Sequence, residues 1–291
     1  MSNPLETWFP TSGAHAVATP WPNDSADRGY VIFITGRCGS THLADLLART
    51  GLCGVPDEYF NESIVAGQVS QSGCSDLAGY IAWLVANRSA GRRFGFKIDG
   101  LRHRRLCDLA DPLAFFPPSA FGFVYMMRRN VLEQAYSYAH AKRVGVWYRT
   151  RDAVQPPAEV VAPDAITDRD LWEELALILC HETHFEGYFL DHGLSVTRID
   201  YEMLCASQAF VVGTVMLAAG RSTAEIGSSL ASLQGRHVRI EYGTARTQRL
   251  LGFQAKYRTQ LDFVESQRGR RLSAALRQFF LGITGIDLTR V

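Results

Sequence analysis

The apolar positions of this chain change period several times, and each change marks an element. Residues 30–35, Tyr-Val-Ile-Phe-Ile-Thr, are a continuous bulky apolar run. That pattern predicts a strand covered on both faces, as in a parallel sheet. The run empties into a Gly-rich turn, and from about Ser40 the residues Leu43, Leu46 and Leu47 recur at helical spacing. Gly51 stands where a left-handed residue closes such a helix. Asp76 is placed to cap a further helix with Leu77, Tyr80, Ile81, Leu84 and Val85 on one face. A second strand is predicted at 94–98, and a short basic helix over 102–110 leads through a Pro-rich turn to a third strand at 121–127. The next helix begins near Asn130. A long helix then carries Leu171, Leu175, Ile178, Phe185 and Phe189, and a fourth strand follows at 194–199. The remainder reads as mostly helical, with a last apolar stripe of Leu272, Leu276, Phe279 and Phe280.

Strands alternating with helices predict an α/β fold of three layers, an open and mostly parallel sheet with helices on both faces. Ligands of such sheets bind beyond the carboxyl ends of the strands. The turn after the first strand and the Arg-Arg-Asn turn at 128–130 are therefore expected to face one crevice. Residues 1–28, rich in Pro, Gly, Ser and Asp, read as a loose leader, and 29–291 as a single domain. Residues 149–166 carry three prolines and no periodicity, which suggests a substrate lid.

Composition changes this picture only locally. Of 291 residues 47% are hydrophobic and 20% charged, and the net charge is +1. No global field draws the chain to nucleic acid or to a membrane, so any anion site has to be built from a few residues. There are 27 Arg and three Lys, and Arg is the side chain whose fork matches phosphate and sulfate. The six cysteines form no Cys-x-x-Cys pair and no tight framework, which argues against a zinc ribbon or a disulfide scaffold. The first residues lack a basic-then-apolar signal pattern, and the longest apolar stretch, 209–220, is too short to span a bilayer. These features suggest a soluble protein of a reducing cytoplasm.

The turn after the first strand holds the candidate chemistry. A kinase-type phosphate loop needs a second glycine five places after the first, then Lys and Ser or Thr. Counting from Gly36 puts Thr41 at that glycine and His42 at the lysine. The dinucleotide pattern fails as well, because Cys38 occupies its second glycine. What remains is Arg37, Cys38, Gly39, Ser40, Thr41 and His42: one cation, two hydroxyls and the N–H groups of a helix start. That set suits one compact anion better than a triphosphate. Eight residues separate Arg129, at the end of the third strand, from Ser137, two turns into the next helix. If the turn folds over the helix, both can converge on a second anion.

Together these segments resemble the PAPS-dependent sulfotransferases. The stretch Gly-Arg-Cys-Gly-Ser-Thr-His-Leu at 36–43 is similar to that family's 5′-phosphosulfate loop. Arg129, Asn130, Ala135, Ser137 and Tyr138 are similar to its 3′-phosphate motif. Pro56-Asp57-Glu58-Tyr59-Phe60 resembles the acidic segment of the bacterial trehalose 2-sulfotransferase-like branch, as do the strand at 94–98 and the Tyr-Glu-x-Leu of 201–204. Two departures stand out: Gly36 replaces a usual Pro and should loosen the turn, and Cys38 replaces a common Ser.

The resemblance implies a P-loop-like fold and PAPS as sulfuryl donor, with PAP as product and no metal. A carbohydrate or glycolipid acceptor and a homodimer are implied. It implies Glu58 as general base, with Asp57 and Glu62 as competing carboxylates. Arg37 and the N–H groups of 39–41 would meet the 5′-phosphate, and Arg129 and Ser137 the 3′-phosphate. Lys97, at the end of the second strand, points at the crevice and is either an acceptor or sulfuryl contact or a strand-end charge. Arg246 is expected to approach the nucleotide from a loop, and Trp147 or Tyr148 either to stack on a sugar or to pack as aromatics. His181 and His184, three apart on one helix face, find too few companions for a metal site. Two other readings stay open: an atypical P-loop kinase, and a non-catalytic protein that binds PAP or another nucleotide.

Overall fold

The computed structural model describes residues 3–10, 28–145, 147, 165–230 and 244–289. In chain order the elements begin with β1 (Arg28–Ile34), α1 (Ser40–Arg49), α2 (Glu62–Ser72), α3 (Leu77–Arg88) and β2 (Arg93–Asp99). Next come α4 (Gly100–Leu109), α5 (Pro112–Phe115), β3 (Phe121–Met127), α6 (Val131–Val144), α7 (Asp168–Asp191) and β4 (Val196–Asp200). The last are α8 (Tyr201–Ala206), α9 (Gln208–Ala218), α10 (Thr223–Leu230), α11 (Thr244–Lys256), α12 (Arg258–Gln267) and α13 (Ala274–Thr284).

The four strands lie parallel in the order β2-β1-β3-β4. Every residue of β2, and all of β1 except Arg28, is buried; β1 therefore reads as an unbroken apolar run, while β2 buries Arg93, Lys97 and Asp99 along with its apolar residues. Because all strands run the same way, their carboxyl ends at Ile34, Asp99, Met127 and Asp200 share one edge. The chain moves from β1 outward to β2, then returns past β1 to β3. General rules for such sheets make the crossovers right-handed, with helices on both faces, and put ligands where the strand order reverses, next to β1. Helix ends follow local chemistry. Asp76 accepts from the Gly79 N–H at 2.8 Å, Asn130 from the Glu133 N–H at 3.0 Å, and Gly51 takes φ +67° after α1.

The chain divides into two compact units. The first contains the sheet with α1–α5 and α8–α10. The second comprises residues 35–38, 128–192 and 238–291 and is helical. Its core gathers Leu171, Leu175, Leu179, Phe253, Leu276 and Phe280 around Trp172, whose ring meets those of Phe253 at 5.4 Å and Phe280 at 6.1 Å. The start of α7 is tied down twice. Thr167 and Asp170 form a reciprocal capping box, and Asp168 accepts from Arg249 and Lys256 at 2.7 Å and from Tyr257 at 3.0 Å. Burial alone would raise the Asp168 carboxyl, but those three donors outweigh it and hold the group below its ordinary range. A depressed carboxylate stabilises the fold above its unfolded value, near pH 4, and loses that share as pH falls through the folded one. Asp168→Asn is therefore expected to cost about 1 kcal/mol at neutral pH, with the gap from the native protein closing below about pH 4. Urea denaturation at several pH values reads this.

Three sequence expectations meet the structure here. Within the supposed loose leader, residues 4–7 form a short 3-10 turn. Leu5 and Phe9 are buried, and the Asn3 amide donates to the Arg105 carbonyl at 2.7 Å. An Asn cap followed by Pro starts that turn, and two apolar anchors dock it. The expected lid lies outside the described residues from 149 to 164. Ile166, at its far end, is buried in the helical core. The expected loop around Arg246 is the first turn of α11. Among the described residues, no helix is long and apolar enough to cross a membrane.

Candidate active site

On the sheet side, Gly39 is the N-cap of α1 and sits at φ +89°, a left-handed conformation that favours glycine. A Cβ there would come within 2.5 Å of the Tyr201 ring, so the residue is fixed by shape as well as by dihedral. Gly39 has no side chain with which to cap the helix, and Ser40 and Thr41 open its first turn. His42 turns its ring to Gln208, with Nε2 of each 3.1 Å apart. Lys97, one pair of residues before the end of β2, is buried. Its ammonium donates to Glu58 Oε1 at 3.0 Å and to Thr41 Oγ1 at 3.3 Å. The ammonium that the loop itself lacks thus arrives from the neighbouring strand.

The three competing carboxylates are separated by their partners. Glu62 is taken by the guanidinium groups of Arg102, at 2.9 Å, and Arg105. Asp57 accepts the Glu58 N–H at 2.8 Å, and its own carbonyl accepts the Lys97 N–H at 3.0 Å, which fastens the segment to β2. Glu58 is held by Lys97 on one oxygen and by the Asn61 amide, at 3.3 Å, on the other. Its side chain is still 27% exposed, so it is both oriented and reachable.

On the helical side, Arg37 adopts φ +66°. A non-glycine residue there costs on the order of 1–3 kcal/mol and persists only when its surroundings impose it. The surroundings are visible. The buried Gln134 of α6 donates to Thr35 Oγ1 at 2.8 Å and to the Gly36 carbonyl at 2.7 Å. Arg37 Nε donates to Ser137 Oγ at 3.1 Å, and its Nη1 to the Trp147 carbonyl. Gly36 does not loosen this turn. A Cβ at position 36 would lie 2.2 Å from the Tyr138 ring, so the glycine is what lets that ring cover the loop. Gly36→Ala is expected to destabilise the protein by about 1–3 kcal/mol, as overpacking does, and denaturant midpoints check it. Cys38 is buried, and its N–H closes the turn onto the Thr35 carbonyl at 3.3 Å.

The turn after β3 presents Arg129 to solvent and buries Arg128. Arg246 does not stand free in a loop. Its guanidinium is buried, engages the Glu133 carboxylate and lies 4.7 Å from the centre of the Tyr136 ring. It therefore braces the helix that carries Ser137. Trp147 is 45% exposed and meets Tyr138 edge-on at 5.5 Å; Tyr148 lies outside the described residues.

The sequence pattern of the Stf0 sulphotransferases matches residues 29–236. The chain belongs to the Stf0 sulfotransferase family. It is also similar to the trehalose 2-sulfotransferase of Mycobacterium tuberculosis (strain ATCC 35801 / TMC 107 / Erdman), 26% identical over 235 residues that cover 67% of this chain and 85% of the relative. A member of this family is an enzyme that transfers a sulfate group. In this Stf0 sulfotransferase the structure joins Glu58, Lys97 and Thr41 in the sheet unit, and Arg37 with Ser137 in the helical one. The second pair links two motifs that the sequence reading had assigned to separate anions.

Sequence reasoning missed Asn61, Gln134 and Arg268. An Asn before Glu-Ser is a helix-start signal that could have revealed α2 and hence Asn61, which caps it. Gln134 and Arg268 act through long-range contacts that leave no local pattern. Among the described residues, no group of three or more His, Cys, Asp or Glu could hold a metal ion.

Proposed function

We propose that the protein moves a sulfuryl group from PAPS to a hydroxyl of a small carbohydrate or glycolipid acceptor, with Glu58 as general base. The observation that carries this reading is the buried Lys97 ammonium, within hydrogen-bond reach of both the Glu58 carboxylate and the Thr41 hydroxyl of the anion loop. A base oriented at the mouth of an anion-binding turn is what a hydroxyl acceptor requires. The trehalose named in the relative's activity favours a sugar as acceptor.

The donor set of the helical unit suits a nucleotide with two phosphate positions: Arg37, the Ser137 hydroxyl and the exposed Arg129 are all hydrogen-bond donors. PAPS, when bound, supplies the sulfuryl group, and PAP is left. Glu58 accepts the proton of the acceptor hydroxyl as that oxygen bonds to sulfur, while Lys97 and Asn61 hold the carboxylate in one orientation. Arg37 meets the charge that gathers on the 5′-phosphate as the sulfur–oxygen bond breaks, the position where fixed donors act most strongly. Arg129 and Ser137 hold the 3′-phosphate and distinguish PAPS from ATP. The six free cysteines are in keeping with a reducing cytoplasm as the place of action.

Incubation with sulfur-labelled PAPS and a panel of sugars and glycolipids tests the reading. Label is expected on one acceptor class, with PAP released in equal amount. Protein that binds PAP but labels no acceptor would favour a non-catalytic nucleotide-binding role.

A further inference from the structure

The turn that presents Arg129 is fastened by a residue beyond the family match. Arg268 follows α12 directly and sends one Nη to the Arg129 carbonyl and the other to the Arg128 carbonyl, each at 2.7 Å. The same guanidinium straddles the Glu182 carboxylate in the middle of α7, at 2.9 Å from Nε and 2.6 Å from Nη2. Glu182 is 1% exposed. Burial pushes its carboxyl up, and the bonds and charge of Arg268 pull it back, so carboxylate and guanidinium depend on each other. The Arg129 carbonyl also accepts the Val131 N–H at 2.9 Å, so this peptide is held from two directions where α6 begins. Three separate elements, α7, the end of α12 and the turn after β3, therefore meet in one half-buried guanidinium.

We infer that Arg268 is a positioning residue of the 3′-phosphate site: braced on Glu182, it fixes the backbone of Arg128 and Arg129 and so sets the direction in which Arg129 reaches its anion. The inference rests on the reading that Arg129 meets the 3′-phosphate. Only an arginine serves, because four bonds in one plane need its rigid fork, and a lysine cannot span two carbonyls and a carboxylate together.

The test is calorimetric titration of native protein, Arg268→Lys and Arg129→Ala with PAP and with AMP, which lacks the 3′-phosphate. Arg268→Lys is expected to weaken PAP about tenfold, the cost of one misplaced charge-assisted contact, and to leave AMP within about twofold. Arg129→Ala is expected to reduce the same PAP-to-AMP ratio. If Arg129→Ala reduces the ratio and Arg268→Lys does not, the positioning role falls while the reading of Arg129 stands. If Arg129→Ala leaves the ratio intact, that reading fails and the inference goes with it. Equal weakening of both ligands by Arg268→Lys would make the clamp merely structural and overturn the role. Should Arg268→Lys not fold, the near-isosteric Glu182→Gln loosens the brace instead. A fall in its PAP-to-AMP ratio supports the role, and an unchanged ratio overturns it.

Discussion

Glu58→Gln is expected to lower turnover by about 10³-fold while PAP affinity stays within about twofold, because it removes a proton acceptor and leaves the shape in place. Glutamine keeps the size of glutamate and an oxygen that can accept from Lys97, and gives up only the 3.3 Å bond from the Asn61 amide, so the segment from Pro56 to Asn61 keeps its main anchor. The neighbouring acids cannot take over. Glu62 is bound by two guanidinium groups, and the Asp57 carboxylate accepts the Glu58 N–H. A variant that kept its rate would leave the acceptor proton without a protein base and reduce Glu58 to a partner of Lys97.

Lys97→Met is expected to lower kcat by about 10²–10³, comparable to losing one fixed donor from a charge-stabilising site. The melting temperature should change little. Methionine fills a similar volume, and the Glu58 carboxylate, 27% exposed, is left in reach of water and not as a buried unpaired charge. Glu58 would then be held by Asn61 alone, and Thr41 would lose its link to the base. Steady-state rates and thermal unfolding of the same variant separate this role from a structural one. A strand-end charge without a catalytic part would leave kcat within about threefold, a change too small for a lost charge contact.

Much of this was readable from the chain because the relevant signals are local. The runs at β1 and β3 are apolar without interruption because both faces of the sheet are covered, and caps such as Asp76 and Asn130 announce the helices that follow. The loop at 36–42 reads as a strand-to-helix turn, and it lacks a lysine in sequence. That Lys97 brings the ammonium from another strand was not legible, since sheet register decides it: Lys97 pairs with Ile32. Helix α2 escaped because its interior carries Gly, Ser and Val and only Val65 and Gln68 are buried, leaving no apolar stripe to read. Arg246 read as a loop residue because Tyr-Gly-Thr precedes it, yet it pairs with Glu133, 113 residues away in sequence. Such partners are set by packing, which the local pattern does not record.

The central claim is that two anion positions, one at Arg37 and the other at Arg129, serve a single adenosine nucleotide with phosphates at its 3′ and 5′ positions. Thermal unfolding with PAP, and separately with ATP and magnesium, tests it most directly. A ligand at 100 times its dissociation constant stabilises a protein by about 2.7 kcal/mol, a shift of several degrees for a chain of this size. The account predicts that PAP raises the midpoint by that much and that ATP with magnesium leaves it nearly unchanged. Stabilisation by ATP with magnesium and none by PAP would contradict it.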